Sequence, residues 1–415
     1  MKIRSVKYNF MMNVILTAST FIFPLITFPY ISRILLPVGV GKVNFATSFV
    51  SYFSMIAMLG VPTYGIRVCA QVRDDREELS RTVHEIFFIN LLVGVLAYIV
   101  YFAALVTVPR LRADTALFAV MSSTILFNVI GMEWLYKGLE QYSYITARSI
   151  AFKVIGLILM FLFVKDQSDY VIYGAISIVA GVGSNVLNFL KLPEMIDLHP
   201  VGNYNLRRHW KAIMVFFMMS VATTIYTNLD TVMLGFMKDD IAVGYYTASV
   251  KVKTILVSFV TALSTVLLPR VSYYIEQGMK DKFRKVSQKA LNFVAIVAVP
   301  VVVYFTLYAK ESILLLSGTE FMGSVRPMQI IMPTVLFIGI TNVLGIQILV
   351  PLGKEKEVCI SVIVGAIVDL VINAICIPRM ASSGAALGTV IAEFAVLVVQ
   401  CVMLRDQIRM LTEKI

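Results

Sequence analysis

The chain has 415 residues, of which 59% are hydrophobic and only 15% are charged, and its mean hydropathy is +0.83. This composition excludes a soluble globular protein and predicts an integral membrane protein. The net charge of +11 suits contact with anionic lipid headgroups and does not by itself indicate a nucleic-acid partner.

Twelve apolar stretches separated by short charged loops account for nearly all of the chain. A helix needs about 20 mostly apolar residues to cross the ~30 Å hydrocarbon layer of a bilayer. The predicted spans are 10–35, 43–69, 83–108, 114–137, 145–164, 169–192, 211–237, 242–270, 289–308, 327–350, 357–378 and 382–404. The fold class is therefore predicted to be all-α, a polytopic membrane protein with about 12 transmembrane helices.

Basic residues are distributed unevenly between the two sides of these spans. If the N-terminus is cytoplasmic, 24 of the 36 Lys and Arg residues lie near cytoplasmic segments, 9 lie near the opposite side, and 3 lie within spans. Cytoplasmic loops of membrane proteins carry the excess of Lys and Arg. We therefore expect a multi-pass protein with both termini in the cytoplasm.

Span 1 contains two prolines, Pro24 and Pro29, and is followed by the sequence VGVG at 38–41, which we interpret as a turn. Span 10 contains Pro333. Each proline removes a helical hydrogen bond and can kink its helix, and such bends often lie where transporters open and close. Pro24 and Pro29 are therefore candidate gating residues, with a static kink satisfied by neighbouring helices as the alternative.

Spans 2 and 8 have matching landmarks. Gly41 and Gly244 lie at their starts, Arg67 and Arg270 lie near their cytoplasmic ends, and the members of each pair are 203 residues apart. Two sets of six spans with one orientation would be parallel repeats around an axis along the membrane normal. The spacing thus predicts two six-helix lobes around a central cavity.

The lobes are predicted to be residues 1–200, with spans 1 to 6, and residues 201–415, with spans 7 to 12. The stretch 193–210, which contains prolines and a glycine, is the predicted linker between them.

Six stretches of the sequence resemble one known family along the whole chain. They are FPYISRILLPVGVGKVNFA (28–46), LGVPTYGIRVCAQVRDD (59–75), GMEWLYKGLEQYSYITARSIAFK (131–153), TTIYTNLDTVMLGF (223–236), AVGYYTASVKV (242–252) and LVPLGKEKE (349–357). Their order and the 12-span length resemble the Wzx-type polysaccharide repeat-unit flippases of the multidrug/oligosaccharidyl-lipid/polysaccharide exporter superfamily.

The resemblance implies that the protein moves undecaprenyl-diphosphate-linked oligosaccharides from the inner to the outer leaflet of the bacterial plasma membrane by alternating access. The product would serve O-antigen, capsule or exopolysaccharide assembly. Membrane lipids, a polysaccharide polymerase and chain-length proteins would be its partners, and no cofactor is implied. A multidrug cation antiporter of the same superfamily and a membrane polysaccharide polymerase are the alternatives. The loops are too short for a soluble catalytic domain, so we do not expect an enzyme.

A diphosphate that crosses hydrocarbon needs cationic side chains. The candidates for substrate binding lie within spans or at their ends: Arg33, Arg67, Arg148, Lys153, Lys251, Lys253 and Arg270. Arginines at span ends can instead reach outward to headgroups, which is the alternative for Arg67, Arg148 and Arg270. Lys251 and Lys253 are about 200° apart around a helix, so they do not both point into one cavity.

Four acidic residues within spans are candidates for coupling transport to a proton or sodium gradient: Asp230, Asp369, Glu393 and Glu133. An isolated carboxylate in hydrocarbon costs several kcal/mol and tends to bind a proton or find a partner. A purely structural pairing is the alternative, most of all for Glu133, because Lys137 follows four residues later on the same helix face.

The cysteines and histidines indicate no metal site. The four cysteines have no C-x-x-C spacing, so we expect neither a disulfide nor zinc. The three histidines, His84, His199 and His209, lie in or near cytoplasmic loops. A solvated structural role is the favoured interpretation for them.

Overall fold

A computed structural model of the chain describes residues 6–405, apart from the side chains of 6, 7, 263–266, 268–270, 272 and 280. Within this part the chain is helical and has no β-strand. The α-helices are α1 Val6–Met58, α2 Val61–Val72, α3 Arg76–Thr107, α4 Pro109–Arg112, α5 Thr115–Gly131, α6 Glu133–Gly138, α7 Tyr142–Phe163, α8 Tyr170–Ile178, α9 Asn185–Met195, α10 Arg207–Met237, α11 Asp240–Glu276, α12 Lys280–Leu307, α13 Ala309–Ser317, α14 Val325–Ile331, α15 Pro333–Asn342, α16 Glu355–Met380 and α17 Ser382–Met403. Two π-helices, Val179–Gly183 and Val343–Leu349, interrupt the series.

The prediction of an all-α membrane protein is confirmed. Among the described residues, eight helices are long and apolar enough to cross a bilayer, and a bent pair, Thr319–Ile331 with Pro333–Leu349, can form a ninth span. The stretch Tyr8–Val72 is counted as one of the eight although it contains predicted spans 1 and 2, and α5 is a shorter apolar helix. The number of twelve spans stays a prediction.

The chain bends at different positions from those expected near its start. Residues 38–41 are helical, so the predicted VGVG turn is wrong. The break in α1 lies at Leu36, where φ is 57° and ψ is 178°, a conformation that a non-glycine residue rarely adopts. The helix continues through Pro24 and Pro29. Their gating role stays a prediction.

Pro333 lies where a span bends. The helical segments Thr319–Ile331 and Pro333–Leu349 meet at 45°. Proline lacks an N–H and its ring clashes with the preceding turn, so it is found at the first position of a helix. Pro333 accordingly begins α15.

The chain forms two compact units. The first contains the described residues up to Leu35 together with Phe45–Thr224, and the second contains Leu36–Asn44 and the residues from Ile225 onward. The division therefore falls within α10, whereas the lobes were predicted to meet at 200/201. The chain is non-helical between α9 and α10, but the first turn of α10 is bonded to α3 and so belongs to the first unit.

The short segment Leu36–Asn44 packs closely on the start of α11 within the second unit. A Cβ atom at Gly41 would lie 3.0 Å from the backbone nitrogen of Gly244 and would overlap the carbonyl group of Asp240. A Cβ at Gly244 would likewise overlap the backbone of Pro37. Only glycine allows two backbones to approach this closely, so the two glycines that marked the starts of spans 2 and 8 are needed for this contact.

Candidate functional site

A buried cluster of polar side chains lies in the second unit. Asp230 comes from α10, Tyr246 from α11, Asp369 and Asn373 from α16, and Thr389 from α17. Asp230, Asp369 and Asn373 are 8%, 2% and 0% exposed. Positions 369 and 373 are four residues apart and therefore lie on one face of α16. The cluster contains two of the four predicted ion-coupling residues.

The Asn373 amide joins the two carboxyl groups. Its Nδ2 lies 2.6 Å from Oδ1 of Asp230 and 3.1 Å from Oδ1 of Asp369. The other oxygen of Asp230 accepts hydrogen bonds from the Tyr246 hydroxyl and, at 2.9 Å, from the Thr389 hydroxyl. These donors are all neutral. The cluster thus brings two carboxyl groups together without a basic side chain hydrogen-bonded to either among the described residues.

One acceptor of the cluster has no hydrogen-bond partner in the described part of the chain. It is Oδ1 of Asn373, which is buried. A Cβ atom placed on Gly388 of α17 would overlap this oxygen and would lie 3.0 Å from Oδ1 of Asp369. Gly388 therefore keeps side-chain atoms away from the point where an amide oxygen and a carboxyl oxygen converge. Buried polar atoms are almost always paired, so this arrangement fits a proton or a small cation.

Glu393 and Lys253 flank the cluster. Glu393 lies one turn after Thr389 on α17 and is 7% exposed. Lys253 of α11 interacts electrostatically with both Asp369 and Glu393. Of the two lysines that cannot face one cavity together, Lys253 is therefore the one near the acidic residues.

The first unit holds an ion pair with a buried arginine instead. The Arg148 side chain, on α7, is 2% exposed. Its Nη2 lies 2.6 Å from Glu133, while its Nη1 donates to Ser184 at 2.5 Å and to Asn185 at 3.1 Å. The interpretation of Arg148 as an arginine that reaches outward to headgroups is wrong, because it is enclosed by these partners.

Glu133 is positioned by a backbone break. The helix α5 ends at Gly131, Met132 has φ 39° and ψ 39°, and α6 begins at Glu133. Besides Arg148, Glu133 contacts Lys137 at 2.7 Å, as the four-residue spacing suggested. Its predicted ion-coupling role remains a prediction, although its carboxylate already has two cationic partners.

Lys153 lies near the middle of α7, and its surroundings differ from those of Arg148 on the same helix. Its Nζ donates to the Ser19 hydroxyl at 2.7 Å and lies 5.9 Å from the centre of the Phe23 ring. Among the described residues, no carboxylate lies within ion-pair distance of it. A cavity of about 250 Å³ opens beside it, lined by residues of α1, α7, α8 and the first π-helix, including Pro24 and Gly181.

The remaining predicted cations are not brought together with these clusters. Arg33 lies at the surface and its Nη1 donates to the Pro29 carbonyl at 2.6 Å. Arg67 is exposed on α2, and Lys251 is half-buried on α11. Arg270 belongs to α11, but its side chain lies outside the described part of the chain. Their roles in substrate binding stay predictions.

Sequence reasoning missed a buried network at the start of α10. The Glu85 side chain, on α3, is fully buried and contacts Arg208 at 2.7 Å and His209 at 2.6 Å. His209 also contacts the Tyr64 hydroxyl at 2.6 Å and is 1% exposed. A solvated role for His209 is therefore wrong. The sequence signal was available: Glu85 is an acid inside α3, and Arg208 and His209 begin a hydrophobic helix.

In the described part of the chain, no group of three or more His, Cys, Asp or Glu side chains is placed to hold a metal ion. The cluster around Asp230 has two carboxyl groups completed by an amide and hydroxyls. It suits a proton or a monovalent cation better than a multivalent metal, which calls for more charged ligands.

Two membrane-embedded units with buried charge clusters define a polytopic helical transporter. The model of the polysaccharide biosynthesis protein family matches residues 6–275, and that of the MatE family matches residues 216–375. The chain belongs to the polysaccharide biosynthesis protein family, and the resemblance to Wzx-type flippases is confirmed.

Named relatives and solved structures agree with this assignment. A "Putative O-antigen transporter" of Escherichia coli (strain K12) is 22% identical over 89% of both chains. A protein of the same name from Shigella dysenteriae is 23% identical over 88% of this chain and 91% of its own length. The fold is similar to that of the inward closed lipid II flippase MurJ, with 13% identity, a TM-score of 0.76, and coverage of 95% of this chain and 87% of that one. It is also similar to an inward-facing multidrug resistance MATE transporter, with 14% identity, a TM-score of 0.75 and 94% of both chains covered. The protein is thus a membrane transporter, and the relatives carry the names of transporters rather than enzymes.

Proposed function

We propose that the protein moves undecaprenyl-diphosphate-linked oligosaccharide repeat units from the inner to the outer leaflet of the bacterial plasma membrane by alternating access. The observation that carries this proposal is Lys153, a half-buried cation near the middle of α7, which adjoins a cavity and has no carboxylate partner among the described residues. A cation in the membrane interior is expensive. An anionic group of the substrate would offset that cost.

The names of the two relatives support the substrate class, since O-antigen is a polysaccharide built from such repeat units. A multidrug antiporter for cationic drugs is less well supported. A cationic drug would be repelled by Lys153 in the cavity of the first unit, because like charges in a medium of low dielectric constant interact strongly.

The cluster around Asp230 supplies the coupling site of the proposal. A bound ion can bias a conformational equilibrium only through a site whose affinity differs between the states. The helices α10, α11, α16 and α17 each contribute a side chain to this cluster, so a small movement of one helix changes the number of oxygens available to a proton or sodium ion. Asp230 and Asp369 carry the proposed coupling, with Glu393 beside them.

A leaflet-resolved assay of lipid-linked repeat units tests the proposal. Cells that lack the protein should accumulate these lipids in the inner leaflet, and cells that contain it should expose them to an impermeant sugar-cleaving enzyme from outside. Equal exposure in the two strains would contradict the proposal. Export of a cationic dye against its gradient, with no change in the lipids, would favour the antiporter.

The proposed direction of transport depends on orientation, which rests on the 24 to 9 distribution of basic residues. In a variant without the four native cysteines, single cysteines at 109–114 or 310–326 should react with an impermeant thiol reagent from outside the cell. Single cysteines at 74–78 or 278–283 should not react. The reverse pattern would contradict cytoplasmic termini.

A further inference from the structure

Three polar side chains of the second unit have buried atoms without a hydrogen-bond partner among the described residues. Arg284 and Ser287 lie on α12, and Gln347 lies on the second π-helix, Val343–Leu349. Ser287 and Gln347 are both 0% exposed. The unpaired atoms are the Ser287 hydroxyl, both amide atoms of Gln347, and Nε and Nη2 of Arg284. Buried polar groups are almost always paired, so we expect a partner from outside the chain.

The helix α12 lies antiparallel to the part of the chain that leads into the second π-helix. The Nε2 amide of Gln329, on α14, donates to the carbonyl oxygen of Thr306 near the end of α12 at 3.3 Å. Further along, a Cβ atom on Gly339 of α15 would lie 2.7 Å from Cγ1 of Val294. Residue numbers therefore fall along α12 as they rise toward the π-helix, so the start of α12 lies beside the π-helix.

Ser287 and Gln347 lie at the same level of these two elements. Ser287 precedes Val294 by seven residues, and Gln347 follows Gly339 by eight. Each therefore lies about two helical turns from the contact between α12 and α15. Leu344, three residues before Gln347, packs with Val294 in one apolar cluster. The unpaired hydroxyl and the unpaired amide thus belong to one interface, between α12 and the π-helix, and single π-helical turns often occur at functional sites.

Arg284 adds a cation to this interface. It lies three residues before Ser287 and therefore on the same face of α12. Although the residue as a whole is half-buried, its Nε and Nη2 atoms are buried. These two nitrogens form one edge of the planar guanidinium group, which matches two oxygens of a phosphate or carboxylate group. Because arginine keeps its positive charge in proteins, the buried edge calls for an anion with at least two oxygens.

The number of donors and the surrounding charge favour phosphate over a carboxylate. The Ser287 hydroxyl and the Gln347 amide add donors to the two on Arg284, whereas a carboxylate has only two oxygens. The helix α12 contains one acidic residue, Asp281. Three exposed lysines lie on the same part of this helix: Lys282, Lys285 and Lys289. The start of α12 therefore attracts anions, and it precedes predicted span 9, at a depth where both lipid headgroups and the aqueous phase supply phosphate.

We propose that the interface between α12 and the second π-helix binds a phosphate group, with two oxygens on Nε and Nη2 of Arg284 and the others on Ser287 and Gln347. The bound phosphate ties α12 to the π-helix. This site goes beyond the proposed function, because α12 contributes no side chain to the cluster around Asp230. The phosphate is that of a bilayer phospholipid or inorganic phosphate, and the test separates these two sources.

The test measures the melting temperature of the purified full-length protein in detergent, at constant pH and ionic strength, as inorganic phosphate or a short-chain phosphatidylglycerol is added. The wild type should be stabilised with a saturating response that gives an apparent Kd. Arg284→Met should raise this Kd about tenfold or more, because charge-assisted hydrogen bonds are lost. Gln347→Leu should raise it about threefold or more, because a neutral hydrogen bond is lost. Lys285→Met is the matched control, since it removes the same charge from an exposed neighbouring position, and it should bind like the wild type.

A second measurement separates ligand binding from a purely structural role of Gln347. Without phosphate, Gln347→Leu should melt at or above the wild-type temperature, because the change removes buried polar atoms that lack partners. With phosphate at a concentration that saturates the wild type, the wild type should gain more than the variant. An equal gain in the two proteins would overturn the place of Gln347 in the site.

The two added compounds identify the source of the phosphate. Stabilisation by inorganic phosphate shows that free phosphate is a sufficient ligand. Stabilisation by phosphatidylglycerol, but not by inorganic phosphate or by a diacylglycerol of the same chain length, identifies the phospholipid headgroup. The proposal would be overturned if neither compound changed the melting temperature of the wild type, if the diacylglycerol acted as strongly as phosphatidylglycerol, or if Arg284→Met and Lys285→Met weakened the response equally.

Discussion

The two units differ in how they hold buried charge. In the first unit, Arg148 is paired with a carboxylate and Lys153 is left with a hydroxyl and a ring. In the second unit, Asp230 and Asp369 are joined by a neutral amide, and a buried amide oxygen beside them is unpaired among the described residues. The first arrangement has a cation with no carboxylate bonded to it, and the second has two carboxyl groups with no cation hydrogen-bonded to them in the described part of the chain, although Lys253 interacts electrostatically with Asp369. Each arrangement is thus suited to a ligand of opposite sign, an anion in the first and a cation in the second.

The largest effect is expected from breaking the ion pair of the first unit. Glu133→Gln leaves Arg148, whose side chain is 2% exposed, without a carboxylate partner; because the Glu133 side chain is itself 34% exposed, the cost should be about 2–3 kcal/mol, below that of breaking a fully buried pair. The measurement is unfolding of the purified protein by denaturant. Lys137→Met is the matched control. Its side chain is 33% exposed, and loss of a partly exposed pair costs under about 1 kcal/mol.

An equal cost in the two variants would contradict this assignment of the stabilising contact. If Lys137→Met were the more costly change, then Lys137 rather than Arg148 would be the partner that Glu133 needs.

The next largest loss of stability should come from substitution of Gly388, the small residue beside the carboxyl groups of the second unit. Gly388→Ala would place a Cβ against Oδ1 of Asn373 and 3.0 Å from Oδ1 of Asp369. Overpacking of this kind costs about 1–3 kcal/mol, and the variant should also lose its response to the coupling ion. Gly181→Ala is the comparison in the first unit, because its Cβ would meet nothing within 4 Å.

Gly181→Ala should leave the melting temperature unchanged or raise it, since alanine has a higher helix propensity than glycine. If Gly388→Ala and Gly181→Ala changed the melting temperature equally, the cost at Gly388 would not come from crowding against Asn373 and Asp369.

Sequence reasoning located the charges of both units but, apart from Lys137 beside Glu133, not their partners. Hydropathy identified the spans because it is a local property, and a charge inside a span is visible wherever it occurs. Asn373, Tyr246 and Thr389 went unnoticed because neutral polar residues are common in membrane helices. Their role depends on bonds to Asp230, which is 143 or more residues away from Asn373 and Thr389.

The bend at Leu36 and the burial of His209 were missed for related reasons. A leucine with φ 57° carries no turn signature, and the neighbouring VGVG sequence drew the prediction to the wrong position. His209 looked like a loop residue because it follows the linker. Its contact with Glu85 joins positions 124 residues apart, which no local pattern reveals.

A smaller effect on stability should be seen when a carboxyl group that binds the coupling ion in the second unit is removed. If a proton or sodium ion binds at Asp230 and Asp369, the ion at ten times its Kd stabilises the wild type by about 1.4 kcal/mol. Asp230→Asn and Asp369→Asn should each abolish that stabilisation. The measurement is the melting temperature in sodium chloride against potassium chloride at equal ionic strength, and as a function of pH.

Glu276→Gln, an exposed acid at the end of α11, is the control and should keep the wild-type response. If both aspartate variants responded to the ion like the wild type, these carboxyl groups would be structural, and Glu393 would be the next residue to test.

The smallest effect on stability is expected at Arg33, a surface cation of the first unit, where substitution should change the free energy of unfolding by about 0.5 kcal/mol or less. Its effect on transport should be larger. Arg33→Ala should stop export of repeat units while folded protein remains in the membrane, and Arg33→Lys should retain part of the activity because the charge survives without the forked geometry that suits phosphate. Export is measured by the leaflet assay, with membrane content measured in the same cells. Full activity of Arg33→Ala would show that its hydrogen bond to Pro29 is structural, and that anion binding in the first unit depends on Lys153.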